Sequence, residues 1–345
     1  MKKENAKRLH QNYKYLLVVI VIIGSSILGT KTLAKYKVNA NHLASNSEFI
    51  GDLNSFADDN YSSLPFTAPA EDFRPLDLYK NDFFSASLKE ELFKNSNWKH
   101  LIQSKKMAVG VIDLTNPESP RFANINGDEM MYAASLPKIA VLLAAEDAIE
   151  HGELKDTPEV KSDMRLMISK SNNQATTRMI DRVGFQKIED VLTSEKYHLY
   201  DKDQGGGLWV GKRYAAAGAT NREPLKNLSH AATAEQVCRF YYLMLHGKLV
   251  SPKRSKHMLD MMENPELHHK FVNTLEKLAP NARLFRKSGS WKNWHSDSIL
   301  VWDAERKYIL VALIENENGE QIIRNLVDPI EKAINIKPNA TIKTS

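Results

Sequence analysis

The apolar positions change their period several times along the chain, and each change marks an element. From Ala86 on, Leu88, Leu92, Phe93 and Trp98 recur at helical spacing and predict a helix ending near Lys105. Met107–Leu114 reads as a short strand, Asn116-Pro117-Glu118-Ser119-Pro120 as a turn, and Arg121–Ile125 as the returning strand of a hairpin. Ile139–Ala145 is apolar on all sides, which is the pattern of a buried helix. Pro137 suits its first turn, where a missing N–H costs nothing, and Gly152 suits its end. Met164–Lys170 and Ala175–Val183 predict helices on either side of Ser171-Asn172-Asn173. Residues 198–232 then lose periodicity and collect Gly205, Gly206, Gly207, Gly211 and Gly218. Helix returns at Thr233–Leu245. Arg283–Lys287 reads as a strand ending at Ser288-Gly289-Ser290. Ser298–Trp302 and Tyr308–Ile314 form a hairpin around Asp303-Ala304-Glu305-Arg306, and Gln321–Ile334 is a closing helix. Strands at both ends with helices between them predict an α+β fold. One antiparallel sheet is formed from both ends of the domain, flanked by helices, with a helical lobe inserted between its strands.

Ahead of this domain the pattern is different. Residues 15–29 are almost wholly apolar and follow the basic stretch Lys2–Lys14. This is the form of a signal peptide or signal-anchor at 15–30 with a cytoplasmic segment at 1–14. The run is short for a spanning helix, yet Thr32-Leu33-Ala34 is a weak cleavage signal, so an uncleaved anchor and a membrane partner are expected. Residues 31–85, rich in Asn, Asp, Ser and Pro, read as a linker, 86–337 as the domain and 338–345 as a tail. The net charge of +5 changes meaning once divided. Residues 1–38 hold eight Lys/Arg against one acid, which leaves −2 for the rest, so the body offers no nucleic-acid surface. The one Cys, Cys238, lies in a helical apolar pattern and is expected in the core. The expectation is an exported monomer at the outer face of the cell membrane.

Candidate chemistry begins with Ser135 and Lys138, three apart at the positive end of the buried helix. Burial and the helix dipole both disfavour an ammonium there, so a neutral lysine beside a hydroxyl is conceivable. Alone, Ser-x-x-Lys is a common tetrapeptide, and Ser is an ordinary helix cap. It gains meaning from two later pieces in order, Ser171-Asn172-Asn173 and Lys287-Ser288-Gly289. With these the sequence resembles the class A β-lactamase and penicillin-binding superfamily from about residue 86 to 336, whose motifs are S-x-x-K, S-D-N and K-T-G. Gly110–Leu114 and Met130–Ser135 also look like that family's approach to its serine. There are departures: Asn172 stands for Asp, Ser288 for Thr, and the short separation of Ser135 from Ser171 implies a trimmed lobe and a more open site.

The resemblance implies roles. Ser135 would be the nucleophile, Lys138 the acylation base, and Ser171 the relay of a proton to the leaving nitrogen. Asn173 would bind the substrate amide, and the Lys287-Ser288-Gly289 piece the substrate carboxylate. Backbone N–H groups of Ser135 and Ser290 would form an oxyanion hole, worth roughly 3–4 kcal/mol per donor. Glu223-Pro224-Leu225-Lys226-Asn227 fits the family's Glu-Pro-x-x-Asn piece at three positions, which makes Glu223 a candidate deacylation base. The implied substrates are β-lactams or D-Ala-D-Ala-type wall peptides, with no cofactor and no metal. A non-catalytic wall-binding or sensor protein that keeps the cleft is the alternative.

Other signals carry less. Gly206–Lys212 approaches a phosphate loop, but Arg213 stands where Ser or Thr is needed and no buried strand precedes it. The stretch is expected to be a mobile flap beside the cleft, with a purely structural loop as the alternative. His268-His269 lacks zinc-ligand spacing. Trp291, Trp294, His295 and Asp297 follow the third motif and are expected to rim the cleft.

Overall fold

The computed structural model describes residues 73–215 and 217–337. Helices α1 (Asp82–Phe93) and α2 (Ser96–Gln103) come first. They replace the single helix predicted from Ala86 to Lys105, because Asn95 intervenes. Its side chain accepts from the N–H groups of Asn97 and Trp98 at 3.0 and 3.2 Å and caps a second helix. Strands β1 (Met107–Asp113) and β2 (Arg121–Ile125) form the expected antiparallel hairpin. A short strand β3 (Met131–Tyr132) leads into the buried helix α3 (Lys138–Glu150). Then come α4 (Pro158–Ser169), α5 (Asn173–Val183) and α6 (Phe185–Thr193). Helix α4 starts before Met164 because Thr157 caps it and Pro158 fits its first turn. Arg178 and Arg182 of α5 both grip Asp163 of α4, so the loop carrying Ser171 is held at both ends.

The glycine-rich stretch is more regular than its sequence suggests. It contains β4 (Tyr200–Asp201), β5 (Gly206–Gly207) and β6 (Trp209–Val210), and it leads to β7 (His230–Ala232), which pairs with both β3 and β6. Gly206, Gly207, Trp209 and Val210 are buried, so the flap expected there is instead a packed wall of the lobe. Helices α7 (Ala234–Leu245), α8 (Pro252–Met262) and α9 (Phe271–Leu278) follow. The last elements are β8 (Arg283–Trp291), β9 (Trp294–Trp302), β10 (Lys307–Glu315), α10 (Gly319–Asn325) and α11 (Val327–Asn335). The third motif therefore lies inside a strand that turns at Lys292-Asn293, not at a strand's end.

The main sheet has the order β2-β1-β10-β9-β8, antiparallel throughout, so both ends of the domain build it as expected. Side chains alternate across it. Ile112, Leu300, Ile309 and Val311 face the lobe with α3 and α7, whereas Val111, Ile299, Val301 and Leu310 face α1, α2, α9, α10 and α11. Both faces are covered, which explains why the strands read as continuous apolar runs. Cys238 packs in the core on the lobe side, with Gly110 of β1 directly against its Sγ.

The membrane partner expected through residues 15–30 is corrected here. That run lies outside the described residues, and among the described residues no helix is long and apolar enough to cross a membrane.

Candidate active site

Ser135 occupies the turn between β3 and α3. Leu136 N–H donates to Ala133 O at 3.0 Å, and Lys138 N–H donates to Ser135 O at 3.3 Å. The tight turn forces Ala134 to φ +49°, a region that a residue with a Cβ seldom occupies. Helix α3 begins at Lys138 with no side-chain cap, so the Ser135 hydroxyl is not spent on capping. Three neighbours hold this turn. Ser296 Oγ on β9 donates to Ala133 O at 2.8 Å, and Tyr214 OH donates to Ala134 O at 3.1 Å. Gly289 of β8 presses against it so closely that a Cβ would stand 2.5 Å from Ser135 N.

Behind the serine lie two buried amines. Lys138 is 0% exposed, and its Nζ donates to Ser171 O at 2.6 Å and to Asn173 Oδ1 at 2.8 Å, with Ser171 Oγ at 3.2 Å. The amine also lies 4.6 Å from the centre of the Tyr214 ring. Loss of hydration pushes its pKa down to about 7. Lys287 Nζ donates to the same Ser171 Oγ at 2.9 Å and to Ser288 O at 2.8 Å. Burial, joined by the neighbouring Lys138 charge, lowers its pKa well below the usual lysine range. Ser171, at φ +53°, thus presents its hydroxyl to both amines. Asn172, the departure from the family motif, caps α5 by accepting from Ala175 N–H at 2.8 Å. An Asn performs that task as well as an Asp would.

These groups open onto a cleft of about 880 Å³ lined by Tyr132, Ser135, Asn173, Tyr214, Ser290 and Trp294, among others. Lys212, Arg213 and Lys292 add positive charge to its walls. His230 closes one side, its ring centre 4.2 Å from that of Tyr214 and tilted to it, its Nε2 placed to donate to Lys212 O at 3.1 Å. Desolvation takes its pKa down to about 4, so it is neutral. Sequence reasoning missed Tyr214 and His230, which come from the stretch without periodicity and carry no local signal.

The structure thus brings Ser135, Lys138, Ser171, Asn173, Lys287, Gly289 and Ser290 together. Ser288 is 3% exposed and does not line the cleft. Trp291 and Trp294 rim the cleft, but Asp297 does not: it is buried in a two-point ion pair with Arg286 at 2.7 and 3.0 Å. His295 packs against Gly319 instead. Glu223 bonds to its own loop and to Tyr200, not to the group. Its carboxylate accepts from the backbone N–H groups of Lys226, Leu225 and Leu228 at 2.6, 2.8 and 2.9 Å, and from Tyr200 OH at 3.2 Å. It staples its own loop and is 1% exposed. Lys226, odd for an apolar place in the motif, reaches Glu129 and donates to Met130 O at 2.9 Å.

The chain matches the family model described as "Beta-lactamase enzyme family" over residues 95–165 and 155–335. No curated protein matches it in sequence. Solved structures do. A beta-lactamase from Sphaerobacter thermophilus is 17% identical with a TM-score of 0.55, covering 72% of this chain and 95% of that one. PBP-A is 16% identical with a TM-score of 0.54, covering 74% and 96%. A PBP-A mutant, solved as an acyl-enzyme complex with penicillin G, is 17% identical with a TM-score of 0.53, covering 77% and 98%. At such identities the likeness is one of fold.

Proposed function

The chain belongs to the beta-lactamase enzyme family, and we propose that it is a serine acyl-transfer hydrolase whose substrates are β-lactams or D-Ala-D-Ala-type wall peptides. A wall-peptide substrate puts its action outside the cytoplasmic membrane. One observation carries the reading: the buried Lys138 amine, brought down to about 7, three residues from a cleft serine that caps nothing. In its neutral form, populated as pH rises through about 7, that amine keeps two hydrogens for Ser171 O and Asn173 Oδ1 and has a lone pair left for a proton. Lys138 takes the Ser135 proton as Oγ attacks the substrate carbonyl carbon. The negative oxygen that forms is met by the N–H groups of Ser135 and Ser290. The C–N bond then breaks, and Ser171 passes a proton to the leaving nitrogen, replenished from the amines it touches. Lys212 and Lys292 on the cleft walls attract the substrate carboxylate, Lys287 behind them holds the Ser171 hydroxyl, and Asn173 binds the substrate amide.

Release of the ester needs an activated water. The carboxylate that the family motif points to, Glu223, is occupied by its own loop, which supports slow release and a long-lived adduct, as in penicillin-binding proteins. The test is intact mass over time after mixing with penicillin G. The wild type is expected to gain one penicillin and lose it slowly, and Ser135→Ala to gain none while staying folded. Labelling of the alanine variant would move the nucleophile elsewhere. A wild type that never labels would favour the non-catalytic alternative.

A further inference from the structure

Behind the third motif lies a charged group that this chemistry leaves unused. Lys270, just before α9, is 0% exposed. Its Nζ donates to Gly289 O at 2.5 Å, to Ser290 Oγ at 2.8 Å and to Ser296 O at 2.9 Å. All three acceptors belong to the β8–β9 hairpin, and they use every hydrogen an ammonium has. Burying an ammonium carries a large desolvation cost. The backbone is also strained, at φ +57° and ψ −127°, where an L-residue seldom sits. Neighbouring bonds fix the same segment: Phe271 N–H donates to Asp297 Oδ2 at 3.2 Å, and Asp297 pairs with Arg286.

The geometry of one peptide gives this arrangement a purpose. Gly289 C=O and Ser290 N–H are two ends of a single planar unit. A cation on the carbonyl oxygen draws density from the nitrogen and strengthens the N–H as a donor. The same unit is packed against Ser135 N through Gly289. We propose that Lys270 is a positioning residue for the oxyanion hole, fixing the Gly289–Ser290 peptide and strengthening the Ser290 N–H toward the oxygen that becomes negative on acylation. The proposal rests on the acyl-enzyme reading above.

The charge on Lys270 is finely held. Desolvation lowers its pKa most, Asp297 on β9 raises it, Arg286 on β8 lowers it and Glu320 on α10 raises it, with the outcome about 8. Lys287, His269 and His295 also feel its charge. Both histidines are held below the ordinary histidine range, chiefly by burial, so they stay neutral around it. The amine is therefore protonated at neutral pH and discharges in mild alkali, weakening the donor it supports.

The experiment compares the wild type with Lys270→Met and Lys270→Arg. Acylation by penicillin G is followed by intact mass across concentration and from pH 6 to 9.5, with folding checked by circular dichroism. The Met variant is expected to acylate about tenfold more slowly at saturation, less than the roughly 10²–10³-fold cost of deleting an oxyanion donor outright. Its half-saturating concentration should change less than about threefold, because Lys270 itself does not line the cleft and the lining cations keep their places. Arg supplies a charge that does not titrate, so it should restore most of the rate and move the fall above pH 8 upward by one unit or more. A folded Met variant within about twofold of the wild type overturns the inference and leaves the Ser135 ester standing. A wild type that takes up no penicillin overturns the reading beneath it. If the Met variant does not fold, the Arg variant decides, and an alkaline limb unmoved from the wild type's overturns the inference.

Discussion

Gly289 marks the closest approach of the sheet to the nucleophile turn, and replacing it by alanine tests how much depends on that approach. A Cβ there would stand 2.3 Å from Ala133 O, 2.5 Å from Ser135 N and 2.7 Å from Leu136 N. All three are backbone atoms, and Ala133 O is already held by Ser296 Oγ. No side chain can swing aside, so β8 and the turn must part by roughly 1 Å to reach ordinary contact. Forcing one methyl into a packed place costs about 1–3 kcal/mol. For a domain of this size that lowers Tm by about 2–12 °C. Chemistry suffers more, since a misplacement of about 1 Å can cost about 10²-fold in rate. Gly289→Ala is therefore expected to fold, melt slightly early, and acylate about a hundredfold more slowly at saturating penicillin. Circular dichroism melts and intact mass on one preparation give both numbers. A folded variant acylating within about threefold of the wild type would refute the idea that this contact sets the geometry of attack.

Two further outcomes are expected. Wild-type acylation should climb with pH along a limb centred near 7, because only the neutral Lys138 amine accepts the serine proton, and Lys138→Met should lower the rate about 10²–10⁴-fold; a profile flat from pH 6 to 8, or a Met variant at full rate, places the base elsewhere. Glu223→Gln exchanges a carboxylate that accepts four hydrogen bonds for an amide with a single acceptor oxygen, so it should cost about 1–3 kcal/mol, seen as a lower Tm, and leave the adduct's lifetime unchanged. A lifetime lengthened tenfold or more would return Glu223 to deacylation.

The parts legible in sequence were those written as short local patterns. Ser135, Lys138, Ser171 and Lys287 each stand at fixed offsets in pieces that kept their order, and the apolar run from Ile139 announced the helix that buries the first lysine. The two-ended sheet was legible too, because strands covered on both faces leave unbroken apolar runs. What escaped depends on tertiary neighbours. Glu223 carries the right neighbours in sequence, yet backbone donors at Leu225, Lys226 and Leu228 claim its oxygens, and a motif does not record where a carboxylate points. Asp297 and Lys270 look like surface charges until the fold surrounds them. Helices α8 and α9 went unpredicted because Lys253, Arg254, Lys256 and His257 dilute the apolar stripe of the first, and the second is only eight residues long.

The strand order has a consequence for the order of assembly. Strand β10 is the middle strand of the main sheet, and its partner β1 lies roughly 200 residues earlier, a pairing of high contact order that slows folding. Until Lys307–Glu315 has been made, β1 has no partner on one side and shows a bare apolar edge, the kind of surface that aggregates or recruits holding factors. The Ser135 turn waits as well, because Ser296 and Gly289, which fix it, also arrive late in synthesis. A growing chain that already contains both Ser135 and Lys138 therefore lacks the contacts that fix the Ser135 turn until Gly289 and Ser296 have been made.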